Sequence, residues 1–528
     1  MKAMFTRITQ RLAYERDFTN WSRSLGQVPK PEGSKVVLLA DLVSSLASYK
    51  AQALFARALI PHGYRPVVLL HGRNKVAERF YNAAQSTRFI YLDDFIKNDF
   101  IDQARELLDT PDAFDRLLTL EIDGIRIGRN VLSLVLRRLR TGRLVTGNSQ
   151  QLALAVEILA QSLAAKAAGE IVLDHVKPSL AIFNERGYTP AGELFDLCVM
   201  RGIDTIQWLG APQADRLLFK RYTLANRASH PLALDPVTWN HLQAKPLDST
   251  SREEIMTQLA SHYGSGAWFN RQQLQTDKNL MEPEEVRQVL GVSSGRKIAV
   301  IFCHILYDAT FFYGSSLFKD YEEWLVETVR SAIANPHLDW IIKVHPVNVW
   351  RSRMDGQPME QLESIALHRA FGELPPHIRI MPADTSINTW SLFQTIDYSL
   401  TVRGTVGMET PCFGIPTVTA GTGRYSGHGF TIDPENQAQY RDILARLHTI
   451  PRLDDETIAK ARLYAWGTFF RRPIPTYSFR LDFQGQGRHP SLVPNCDILS
   501  PPDQAADLAA LAQWIATSRD ADFLSESP

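Results

Sequence analysis

The chain has 528 residues, 45% of them apolar and 22% charged, which is more than one ordinary core accommodates and predicts two or three domains. Lys+Arg and Asp+Glu are equal at 57 each, which excludes a global field for nucleic acid or an anionic membrane, so any anionic ligand has to be held by local groups. Cys198, Cys303, Cys412 and Cys496 form no CxxC pair, the N-terminus lacks a signal-like apolar segment, and no apolar run approaches the roughly 18 residues of a membrane span; a reduced, soluble, cytoplasmic protein is expected.

The first buried strand is "KVVLLA", Lys35 to Ala40, followed by a loop and a helix, then by strands in "RPVVLLH" and "RFIYLDD". Strands alternating with helices predict a parallel α/β sheet. "VLSLVLRRLRTGRL" reads as an amphipathic helix with a solvated basic end. A further unit places a strand at Leu180–Phe183, a loop at Asn184–Pro190, a helix at Ala191–Arg201 and the next strand around Ile206–Gly210. Residues 243–295 are polar and hold no strong strand, so they read as a helical or irregular connection between an N-terminal domain, 1–242, and a C-terminal domain, 296–500.

The α/β pattern restarts at "RKIAVIFCHILYDATFFYG". It continues through the helix "YEEWLVETVRSAIAN", the strands "DWIIKVHP" and "HIRIMP", the helix "SINTWSLFQTI", the strand "DYSLTVR", the helix "TVGMETPCFG" and the strand "IPTVTA". A last helix and tail occupy 501–528. The expected fold is two Rossmann-like doubly wound domains with a cleft between them and a C-terminal helical segment, a GT-B-like architecture. Ligands of such sheets bind beyond the carboxyl ends of the strands, where strand order reverses.

The polar residues at those strand ends are the candidate site. "KVHPVN" places Lys343, His345 and Asn348 at a strand end, with Pro346 suited to a first helical turn. In "TVRGTVGMETPCFGIP", Gly404 permits a close backbone approach, Thr405 can cap a helix and donate to phosphate, Arg403 adds charge, and Glu409 lies one turn on, where its carboxylate can accept ribose hydroxyls. "AGTGRYSGHGF" brings Arg424, Tyr425 and His428 on a glycine-rich loop. The loop "FCHILYDATFFYGSS" offers His304 and Asp308. In the first domain "FNERGYTPAGE" offers Glu185 as a carboxylate at a strand end, fit for a base or a nucleophile, with Arg186 beside it, and "LLADLVSS" offers Asp41. There is no GxxxxGK[ST], no GxGxxG after the first strand, and no DxD, HExxH or Cys/His cluster, so neither a P-loop, nor NAD, nor an obligatory metal is expected.

"WIIKVHPVN" and "DYSLTVRGTVGMETPCFGIPTVTAGTGRY" resemble the capsule and surface polysaccharide biosynthesis proteins, including bacterial transferases of Kdo (3-deoxy-D-manno-octulosonic acid). The HP dipeptide followed by G-[ST]-x-x-x-E is also similar to bacterial sialyltransferases and teichoic acid polyol-phosphate transferases. The resemblance implies a glycosyltransferase that moves a Kdo-like ulosonic acid from a CMP-linked nucleotide sugar to a glycan or glycolipid acceptor, without a metal or other obligatory cofactor. It implies contact of His345 and Thr405 with the donor phosphate, of Glu409 with the nucleotide ribose or cytidine, and a catalytic role for Glu185. It further implies a cytoplasmic protein, peripheral at the inner face of the membrane or within a polysaccharide-assembly complex. Arg403-Gly404 departs from the small polar residues usual before Thr-Val-Gly, so Arg403 is a candidate reader of the sugar carboxylate. A UDP-sugar 2-epimerase and a non-catalytic assembly factor are the alternatives.

Overall fold

The computed structural model describes residues 2–525 except 44, 214, 246–248, 267, 269–273, 276, 356–360, 483–490, 496, 498 and 500–504; Cys496 and the start expected for the last helix lie outside these. The first sheet takes β1 (Lys35–Ala40), β2 (Tyr64–Leu70), β3 (Arg88–Tyr91), β4 (Leu180–Phe183), β5 (Asp204–Gly210) and β6 (Arg216–Tyr222). The second takes β7 (Ile298–Phe302), β8 (Asp339–Lys343), β9 (Ile378–Met381), β10 (Tyr398–Thr401) and β11 (Thr417–Thr419).

Five parallel strands of the first sheet run in the order β3-β2-β1-β4-β5, and the second sheet repeats it as β9-β8-β7-β10-β11. In each domain the order reverses beside the first strand, which opens one crevice between β1 and β4 and another between β7 and β10. The central strands are buried on both faces: Val37 and Leu39 point into one layer, while Leu38 and Ala40 point into the other. That two-sided burial makes a continuous apolar run such as "KVVLLA" a parallel strand. Asn74, Asp320 and Asn388 cap their helices with side-chain oxygens that accept first-turn N–H groups. The doubly wound architecture expected from the pattern is present in both halves.

Three features depart from the expected organisation. β6 pairs antiparallel with β5, and the chain returns to it early: β12 (Ile474–Pro475) adds to β6. The hairpin of β13 (Phe479–Asp482) and β14 (Ser491–Pro494) and the helix Ala506–Thr517 then bury Phe479, Leu492 and Leu511 in the first-domain core with Leu54 and Phe55. The C-terminal unit expected to reach residue 500 therefore ends before β12. Second, the segment taken as a connection belongs to the second domain, since Ile255, Leu259, Tyr263 and Trp268 are buried with Phe302, Ile341 and Phe393.

Third, the helix Ser149–Val176 is long and apolar enough to cross a membrane by length and composition, where no such run was expected. Its Ile158, Leu159, Leu163 and Val172 are fixed in the first-domain core. Lys166 pairs with Asp123 and Glu170, each at 2.8 Å. Packing in that core, chiefly against the helices Ile101–Leu108, Ile127–Leu139 and Ala191–Met200, accounts for its apolar character.

Candidate functional site

A cavity of about 410 Å³ opens beyond the carboxyl ends of β7, β8 and β10, at the switch point of the second sheet. Its walls come from both halves: Leu209 to Pro212 and His230 on the first-domain side, and the loops after β7, β8, β10 and β11 on the other. Of the residues picked from the sequence, His304, Asp308, Lys343, His345, Arg403, Gly404, Thr405, Glu409 and Arg424 line it.

The two histidines are fixed as neutral donors. His345 Nδ1 accepts from Val347 N–H at 3.2 Å, at the start of the helix Val347–Asp355, which places the ring proton on Nε2. Burial, then Lys343 and Arg351, pull its pKa down to about 3. His304 stacks on Tyr321 at 4.4 Å, and its Nε2 accepts from the N–H groups of Val402 (3.2 Å) and Arg403 (3.4 Å), so its proton sits on Nδ1. Burial, with Arg403, His345 and Arg424 nearby, holds it well below the ordinary imidazole range. A neutral imidazole that donates one hydrogen bond serves an anion without itself carrying charge.

Two cations in the cavity lack acid partners. Arg424 Nη2 meets His230 Nε2, and among the described residues no carboxylate pairs with the guanidinium; burial, less the compensation from Tyr425, Tyr313 and Tyr321, draws its pKa down. Lys343 is 4% exposed and has no hydrogen-bond or ion-pair partner among the described residues. Burial, then the like charge of Lys278, draws its pKa down to about 7. Cations buried without counter-charges are costly, and an anionic or acceptor-rich ligand offsets that cost.

Glu409 is the carboxylate of the site. Tyr263 OH and Trp268 Nε1 both donate to its Oε1, at 2.7 and 2.8 Å, while Oε2 is buried without a partner. Burial raises its pKa against the lowering effect of those two donors. Tyr263 and Trp268 come from the segment read as a connection, and only their aromatic character in a polar stretch hinted at burial. Gln275 and Thr389, also missed, hydrogen-bond each other at 3.2 Å on the same wall. Thr405 lines the cavity but makes no capping hydrogen bond, contrary to the capping expected of it. At Gly404 a Cβ would lie 2.8 Å from Thr401 Oγ1, so the close approach made there is to Thr401.

Other picks are drawn into the scaffold. Arg403 donates to the carbonyls of Tyr313 and Ser315 (2.9 Å for the latter) and to Ser316 Oγ, so it pins the loop after β7 and has little left to read a sugar carboxylate. Tyr425 is 1% exposed and gives its hydroxyl to Gly404 O at 2.8 Å. His428 packs between Tyr464 and Trp239, at 4.7 and 5.4 Å, away from the cavity. Asn348 donates to Glu363 at 3.3 Å. Arg186 donates to the carbonyls of Arg227 (2.5 Å) and Ser229 (2.6 Å) and lies over the rings of Phe195 and Tyr222. Asp41 accepts from Ser48 (3.0 Å) and Tyr81 (2.7 Å) inside the first domain. Asp308, though it lines the cavity, spends both oxygens in a clamp on Tyr188 and Arg351.

Glu185 follows β4 at the first-domain switch point, and its Oε1 accepts from the N–H groups of Arg186 (2.7 Å) and Gly187 (3.0 Å). It does not line the cavity, but its charge acts on Tyr313, which does. Among the described residues no group of three or more His, Cys, Asp or Glu gathers as a metal site.

Two doubly wound domains with a cavity at the switch point of the second define a GT-B-like fold. No family model matches the chain, and no curated protein matches it. Among solved structures it is similar to KpsC beta Kdo 2,4 transferase of Thermosulfurimonas dismutans, with 12% identity over 62% of this chain and 87% of that one and a TM-score of 0.34. It is similar to UDP-GlcNAc 2-epimerase of Neisseria meningitidis bound to UDP-GlcNAc, with 12% identity, 83% and 97% coverage and a TM-score of 0.28. Spinosyn rhamnosyltransferase SpnG complexed with spinosyn aglycone is a third, with 15% identity, 82% and 95% coverage and a TM-score of 0.27.

Proposed function

We propose that the protein is a nucleotide-sugar-dependent glycosyltransferase of surface polysaccharide synthesis, with a CMP-linked ulosonic acid as donor and a glycan or glycolipid as acceptor. The observation that carries this is the gathering, in one switch-point cavity, of acid-free cations (Arg424, Lys343), a donating neutral His345 and the unpaired Oε2 of Glu409. The cations and His345 suit the phosphate of a leaving nucleotide, and the carboxylate suits a diol such as the ribose. Stabilising the departing anion with fixed donors is electrostatic catalysis, which is worth most where water is excluded. Glu185, oriented by two backbone N–H groups across the cleft, is the group proposed to act on the acceptor hydroxyl or on the glycosyl centre.

Thermal shift with CMP, UDP and ADP tests the reading. CMP is expected to raise Tm the most; no shift with any of the three sinks it. Incubation with UDP-N-acetylglucosamine and no acceptor separates the epimerase alternative, because epimerisation changes the sugar without one.

A further inference from the structure

A second cavity, of about 940 Å³, lies in the first domain. Leu42 follows β1, His71 and Leu92 directly follow β2 and β3, and Thr189 and Pro190 close the loop after β4; all five line it. It therefore occupies the first-domain switch point, the place where doubly wound sheets take ligands. Its walls are apolar. Leu42, Phe100 and Leu134 are half-buried there, and Ile96 stands at the rim with 41% of its surface exposed. On the long helix Ser149–Val176, Ala160, Ala164 and Ala165 line the cavity, where larger side chains would fill it.

The charges of this cavity do not call for an anion. Arg138 donates to Glu157 at 3.3 Å, His71 pairs with Asp93 at 3.0 Å, and Lys97 shares the rim with Asp99. Arg138 and Lys97 are both exposed, so neither needs a counter-charge as the buried Arg424 does. The free surface is hydrocarbon, and an apolar ligand removes it from water.

One end of the cavity adjoins Glu185. Thr189 and Pro190 belong to the loop 184–190 that carries this carboxylate. Tyr188 in the same loop lies under Arg137, at 4.6 Å; Arg137 feels the charge of Glu185 and directly precedes Arg138 of the cavity wall. A molecule with its apolar part between the helices thus has its polar end at the loop of Glu185.

Resting on the acceptor half of the reading above, we propose that this cavity takes the hydrocarbon chain of a glycolipid acceptor and leaves its sugar beside Glu185. The second-domain cavity binds by charge, the first-domain cavity by apolar burial, and the two ligands meet between the domains.

The test is calorimetric binding of maltose and of hexyl, octyl and decyl maltoside to the full chain, each below its critical micelle concentration. Burying a methylene is worth about fourfold in affinity, so each lengthening by two should tighten binding about 10- to 15-fold. Maltose alone should not bind measurably. Ala164→Phe, which fills the cavity, should weaken decyl maltoside at least about tenfold. Ile96→Glu, at an exposed position that leaves the fold intact, should weaken it about three- to tenfold by setting a charge against the chain. A diazirine on the sugar end should label the loop 184–190. Binding independent of chain length, variants that bind as the wild type does, or labelling confined to other segments would each overturn the proposal. CMP binding by the same samples keeps the readings apart. CMP bound without chain-length dependence overturns this proposal alone, whereas chain-length dependence without nucleotide binding supports the lipid site and sinks the transferase reading.

Discussion

Tyr425 stands directly on Gly407: its hydroxyl donates to Gly404 O at 2.8 Å, and a Cβ at position 407 would lie 2.0 Å from that phenol oxygen. A second such contact joins Gly423, at φ +96°, to Gly314, where a Cβ on Gly423 would lie 2.7 Å from the Gly314 nitrogen. Glycines in this stretch therefore let one loop lie on another, and the cavity walls are assembled by that packing.

Gly407→Ala should destabilise the protein by about 1–3 kcal/mol, the usual cost of forcing volume into a packed site. Gly423→Ala should cost at least as much, because it adds a left-handed backbone to the clash. Urea denaturation midpoints check both. Unchanged midpoints would mean that the two loops separate freely.

Glu409→Gln separates binding from folding. The variant keeps the shape of the side chain but loses the charge that a sugar diol would address. Nucleotide affinity should fall by roughly 10- to 100-fold, the scale of a hydrogen bond to a charged group. Since burial raises the pKa of Glu409, its charge is a cost to the fold, and Tm should stay level or rise. A drop in Tm with affinity retained would make Glu409 a structural residue.

The second domain was legible because parallel strands buried on both faces read as unbroken apolar runs, as in "IAVIF" and "WIIK". β6, "RLLFKRY", escaped notice because its charged residues look solvated. Its Lys220 and Arg221 are buried against Asp522 (2.7 Å) and Asp204 (2.7 Å), the first of them 302 positions away. The site shows the same division. His345 and Glu409 were visible as motif residues, but the partners of Glu409 lie 146 and 141 positions away and carry no local pattern. Arg403, Tyr425 and Arg186 had the composition of ligand contacts, and only long-range packing shows where their donors go.

Asp308 ties the two halves together. Tyr188 donates to its Oδ1 at 2.7 Å, Arg351 donates to its Oδ2 at 2.5 Å, and Arg137 lies 3.6 Å away. Burial alone would raise its pKa, but Arg351 and Arg137 outweigh that and hold it below the usual carboxylate range. Tyr188 and Arg137 belong to the first domain and Arg351 to the second, so Asp308→Ala removes the acceptor they share. Stability should drop by about 1–3 kcal/mol, and the radius of gyration from small-angle scattering should increase as the cleft opens. A destabilised variant of unchanged radius would confine the effect of Asp308 to local packing.

Asp41 gives a pH dependence with a definite sign. It is 3% exposed, and burial, opposed by hydrogen bonds from Tyr81 and Ser48, pushes its pKa from 3.8 up to about 7. The unfolded chain releases this proton near pH 4, while the folded chain keeps it to about pH 7. The favourable contribution is therefore complete below pH 4 and lost as pH rises to 7, at up to about 1.4 kcal/mol per pH unit. Asp320 and Glu363 are also pushed up to about 7 and add slopes of the same sign, so the difference between wild type and Asp41→Asn is the quantity to follow. Urea denaturation at pH 5, 6 and 7 should show the variant gaining on the wild type at each step, with the difference levelling off above pH 7. Parallel stability curves would mean that Asp41 stays ionised in the folded protein.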